Sequence, residues 1–139
     1  MKKEDLMIDD WVFSSCAGRN VQIIEITNDC AISSKNLRIT SDENIIIEPY
    51  DNISPIQLTS EILEKNGFKE DSETNGIYWR PDCRKFCIVK ELDTWYFAFR
   101  VLGKTVDKSS GHICISECNY VHKLQHILKD LEIEKEVVL

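Results

Sequence analysis

Apolar residues in the first third of the chain come in short runs broken by turn signals. Val21-Gln22-Ile23-Ile24-Glu25-Ile26 is rich in β-branched residues and reads as a strand. Before it, Leu6–Cys16 reads as a turn at Asp9-Asp10 followed by a strand, and Ala17-Gly18-Arg19-Asn20 as a turn. Asn28-Asp29 turns again, and shorter strand candidates follow at 30–33, 36–40 and 44–48. Short strands at this spacing predict a small barrel or a strongly bent sheet, and an SH3-like barrel suits them best. Pro49 and Pro55 bracket the way out.

The pattern then changes period. Leu58-Thr59-Ser60-Glu61-Ile62-Leu63-Glu64-Lys65-Asn66-Gly67-Phe68 predicts one short helix over 59–66 with both ends specified. Thr59 is the N-cap, whose hydroxyl accepts from a free first-turn N–H. Leu58 and Leu63 occupy the hydrophobic-staple positions. Glu61 suits the positive end of the helix dipole. Gly67 is the residue expected beyond the C-cap, because glycine takes the left-handed conformation freely. So short a helix must dock on a sheet to persist.

Alternation returns after a polar stretch at 69–75. Gly76–Trp79 is a short strand stopped by Pro81. Lys85–Lys90 and Trp95–Val101 form the clearest strand pair, with Trp95, Phe97 and Phe99 on a face that would take a helix. Gly103–Gly111 reads as a polar loop and His112–Ser116 as a further strand. Val121, Leu124, Leu128 and Leu131 then fall on one helical stripe, predicting a helix over 119–131 capped by Asn119. Ile133–Leu139 is expected as an edge strand. The fold class expected is α+β, with a small SH3-like β-barrel half at 1–54. An antiparallel sheet with two helices follows at 55–139, and the two are expected to pack as one compact unit.

Charge narrows the possible partners. The 139 residues carry a net charge of −7. Residues 1–58 hold 10 acidic and 5 basic side chains, against 14 and 12 in residues 59–139. This concentration of acid argues against direct nucleic-acid binding, which needs lysines and arginines along one face. The N-terminal stretch has no apolar signal region, and no apolar run is long enough for a membrane span. A cytoplasmic location is expected, with no membrane contact and with Cys16, Cys30, Cys83, Cys87, Cys114 and Cys118 as reduced thiols.

Three stretches carry a resemblance. They are Asp10-Trp11-Val12, then Pro55-Ile56-Gln57-Leu58-Thr59-Ser60-Glu61-Ile62-Leu63-Glu64-Lys65-Asn66-Gly67-Phe68, and Tyr120-Val121-His122-Lys123-Leu124-Gln125-His126. Together they resemble a family of small uncharacterised proteins of Bacteroides-type gut bacteria and their phages and mobile elements. The resemblance spans nearly the whole chain. It implies one shared architecture and a mobile-element context, and it carries over no catalytic residue. The family pattern has a glycine before Asp-Trp-Val, and Asp9 stands there in this chain.

The candidate chemistry is sparse. His122 and His126 have the four-residue helical spacing that lets two imidazoles share a metal, with Cys118 four residues earlier. Both histidines fall about 160° from Leu124 on the helical wheel, so the plainer expectation is two solvated imidazoles on the outer helix face. Cys83 and Cys87 lack zinc-ribbon spacing and read as small residues filling a sheet. No phosphate loop or nucleophile elbow is present. The expectation is a non-enzymatic protein-binding module with no cofactor and an unidentified protein partner. Trp11, Trp79 and Trp95 can build an aromatic groove, two of the three being expected in the core. The binding candidates are Trp11, Trp79 and its neighbour Tyr78. The alternatives are an acidic decoy for a nucleic-acid-binding protein, on the charge split, and a metal-dependent hydrolase, on His122 and His126.

Overall fold

The computed structural model describes residues 6–29, 34–41, 44–100, 112–133 and 136–139. Their contacts fall into two compact units, Met1–Gln57 with Tyr120–Glu134, and Leu58–Asn119 with Lys135–Leu139. The class is α+β, with two antiparallel sheets and two α-helices among the described residues.

The first unit is a meander. Strands β1 (Trp11–Ser14), β2 (Arg19–Asp29), β3 (Ser34–Ser41) and β4 (Asn44–Pro49) follow one another, and a 3-10 helix at Tyr50–Asn52 leads into β5 (Ile53–Pro55). The sheet order is β4-β3-β2-β1-β5. Strand β2 serves two partners along its length. Its first residues pair with β1, from Trp11↔Gln22 to Ser14↔Arg19. Its later residues pair with β3, from Ile23↔Ile39 to Asp29↔Ser34, with a register shift between Ile23 and Glu25. Such a shift bends a strand and sharpens its twist. No pairing between described strands closes the sheet into a barrel. Leu6, Val12, Val21, Ile23 and Ile53 form the core, with Ala17 and Ile26 packed against it. The strand candidate at 30–33 lies outside the described residues, as does the loop at 103–111.

Helix α2 (Val121–Asp130) belongs to this same unit. The N–H of Val121 donates to the carbonyl of Ile56 at 2.9 Å, and Gln57 and Tyr120 form an isolated antiparallel bridge. The sequence divides at 54/55. The contacts divide at 57/58 and return 120–134 to the first unit.

The second unit begins with α1 (Ser60–Lys65). Thr59 caps it as expected, its side chain accepting from the N–H of Ile62 at 3.3 Å. Glu61 bonds its own backbone N–H and the Thr59 hydroxyl, which holds its carboxyl below the usual range. At the other end the N–H of Gly67 reaches Glu64 O and that of Phe68 reaches Leu63 O, with Gly67 at φ +84°. This pair of bonds is the Schellman closure. Phe68 is then buried edge-on against Phe86, at 6.0 Å between ring centroids.

The sheet behind α1 runs β10-β9-β8-β7-β6. Its strands are β6 (Lys69–Glu70), β7 (Ile77–Arg80), β8 (Cys83–Glu91), β9 (Thr94–Arg100) and β10 (His112–Glu117). Phe86, Ile88 and Phe97 fill one face and Ile77, Cys87, Val89 and Ala98 the other, all buried.

Two local expectations fail, each for a visible reason. Asn119 does not cap α2; its side chain accepts from the N–H of Trp95 at 2.8 Å, and Tyr120 holds the N-cap position without a side-chain bond. The described residues at the C-terminus form no strand. Instead the Asn66 side chain donates to the carbonyl of Val138 at 2.7 Å and accepts from its N–H at 2.8 Å, so both main-chain groups are taken by one amide. No helix among the described residues is long and apolar enough to cross a membrane.

Candidate functional site

The first chemistry-bearing cluster joins the start of β1 to α2. Asp10 is 2 % exposed. Its carboxylate takes His126 Nε2 at 2.8 Å and 3.0 Å, one contact to each oxygen. It also accepts from the N–H of Met7 at 2.8 Å. Gln125 works beside it. Its Oε1 accepts from the N–H of Trp11, and its Nε2 donates to the carbonyl of Asp9, both at 2.9 Å. Asp9 sits at φ +74°, the left-handed conformation a glycine would take at that position.

This arrangement corrects the expectation of a solvated histidine face. His122 is 1 % exposed and stacks on Tyr120, with ring centroids 5.6 Å apart and planes 7° from parallel. It meets the edge of His126 at 5.8 Å. The helical-wheel angle was right about the spacing. It could not show that α2 is covered on its polar side as well, by hydrogen bonds from residues more than a hundred positions earlier. Cys118 is buried in the second unit, its N–H bonded to the carbonyl of Trp95. Among the described residues, no group of three His, Cys, Asp or Glu is placed to hold a metal ion. The cluster is therefore a clamp. It can fix a strand to a helix, but it presents no nucleophile.

The second site is open. A cleft of about 380 Å³ is lined by Lys69, Glu70, Asp71, Ser72, Trp79, Arg80 and Pro81. That volume falls within the range of small-ligand and side-chain pockets. Trp79 is held in place by its indole N–H, which donates to Asp71 Oδ2 at 3.1 Å. Asp71 Oδ1 accepts from the N–H of Glu73 at 2.8 Å, ordering the acidic turn above it. Arg80 is 1 % exposed and makes a two-pronged pair with Asp82, at 2.9 Å and 2.7 Å. Its guanidinium carbon lies 5.7 Å from the centroid of Phe68. The planar fork suits such a bidentate pair, and the charge is neutralised where it is buried.

The three aromatic candidates part company here. Trp79 is half-buried and lines the cleft. Tyr78, its neighbour on β7, is buried edge-on against Trp95 at 5.5 Å. Its phenol pKa is pushed up to about 12, first by burial and then by its hydrogen bond to Glu70. Trp11 belongs to the first unit, where its N–H is held by Gln125. Sequence reasoning did not single out Asp10, Gln125 or Arg80. The one available signal for the first two was that both stand inside stretches carrying the family resemblance. Comparison with known families, characterised proteins and solved structures finds no match.

Proposed function

We propose that this chain is a non-enzymatic protein-binding module, working in the setting of phages or mobile elements of Bacteroides-type bacteria. The observation that carries the reading is the Trp79 cleft. It combines a half-buried indole, a proline wall and ordered carboxylates, with no paired nucleophile and base in it. An SH3-like identity of the first unit fits the same reading. Its support is the five-strand meander, the long β2 shared between two pairings, the 3-10 turn before β5, and the return of β5 to pair with β1. Asp10 engages the Nε2 of His126, so the hydrolase alternative has lost the residues it depended on.

The test is capture from lysates of such bacteria on immobilised protein, at low salt and at about 0.5 M salt. A partner retained at both, and lost with Trp79→Ala in a variant of unchanged circular dichroism, supports the module. Capture that vanishes at high salt and ignores Trp79→Ala would favour the acidic decoy. No capture at either salt would leave the module without support.

A further inference from the structure

The cleft has a charge and a main-chain edge that together specify its ligand, provided that the binding reading above holds. Arg80 is neutralised by Asp82, which leaves Lys69 facing the carboxylates of Glu70, Asp71 and Glu73 around the indole. Strand β6 is the outermost strand of its sheet. Lys69 lies opposite Trp79 and Glu70 opposite Tyr78, and the N–H of Asp71 donates to the carbonyl of Ile77. Main-chain groups along an antiparallel strand point alternately to either side. Asp71 points towards β7, so the N–H and C=O of Glu70 point away from it, along the rim of the cleft.

We infer that the cleft takes an extended peptide of a partner protein and holds one of its cationic side chains, Arg or Lys, between Trp79 and the Asp71–Glu73 turn. The peptide main chain pairs with Glu70, as strands add to exposed sheet edges. The indole supplies a face for the cation and the carboxylates supply the charge. An acidic or neutral side chain would lack that match and would meet Glu70, Asp71 and Glu73 instead.

The probe is a short capped peptide of alternating Thr and Val with one central Arg. Twins carry Gln or Glu at the centre. Binding to the full chain is followed by NMR, through the indole N–H of Trp79 and the amide of Glu70. The Arg peptide should shift both signals and bind about tenfold more tightly than the Gln twin, with the Glu twin weaker still. Asp71→Asn keeps an acceptor for the indole N–H and should remove most of the Arg preference. Glu70→Pro removes only an outward N–H and should weaken all three peptides in a sheet that still folds. Equal binding of the Arg and Gln peptides overturns the inference, as does a Glu peptide that binds best, or no shift with any peptide. These failures leave the lysate experiment untouched: a partner lost with Trp79→Ala would then use the cleft by other chemistry.

Discussion

His126 and Asp10 stand 116 residues apart in the chain and touch at 2.8 Å. The carboxylate is almost wholly buried and the imidazole about four-fifths so, with side-chain exposures of 3 % and 20 %. This contact, with the two bonds of Gln125, ties the entry of β1 to the middle of α2 within the first unit. Val12, two residues past the contact, is fully buried in the core.

The first prediction follows from that burial. Asp10→Ala removes the partner of His126 and the acceptor for the N–H of Met7, and should cost about 2–3 kcal/mol. Asp10→Asn keeps an acceptor in the same place and should cost distinctly less. Urea unfolding of the full chain measures both. Equal midpoints for the two variants and the parent protein would show that the contact adds nothing.

Gly67 offers a cleaner backbone test. A Cβ built there meets nothing within 4 Å, so only the positive φ opposes a side chain. Gly67→Ala should therefore destabilise by about 1 kcal/mol, and a β-branched Gly67→Val by more. At Gly76 a Cβ would come within 3.0 Å of the carbonyl of Lys90. Gly76→Ala should then cost more than Gly67→Ala, because φ and backbone contact both oppose it. Thermal melts that rank the two alanine variants the other way would contradict this account.

Tyr78 gives a pH dependence at the alkaline end. Its folded pKa is raised to about 12 from 10.0, so the folded state holds the phenolic proton more tightly than the unfolded chain does. The stability this contributes is complete below pH 10.0 and falls as pH rises from there towards about 12. Tyr78→Phe should flatten that loss. It should also remove the last-ionising phenolate from an ultraviolet titration of the protein. A variant with an unchanged alkaline limb would place the late titration elsewhere.

The sequence alone determined the local grammar. Thr59, Gly67 and Phe68 specified both ends of α1, because capping needs only a hydroxyl, a left-handed residue and an apolar anchor within a few positions. Alternation located β8 and β9, because a strand with two environments repeats every two residues. The shape of the site was decided at longer range. Asn119 reads as a helix cap until Trp95 supplies a main-chain N–H for its side chain, and the C-terminal strand disappears because Asn66 takes the main chain of Val138. His122 and His126 read as solvated because a helical wheel shows one helix and none of the residues that cover it. The stretches that carry the family resemblance acquire a physical reason only in three dimensions. Asp10-Trp11 meets Gln125-His126, and Ile56 meets Val121, so residues scattered along the chain are fixed by one hydrogen-bonded junction. The cleft was legible only as an indole near acidic residues. Its ligand chemistry depends on which carboxylates face the indole, and tertiary hydrogen bonds set that.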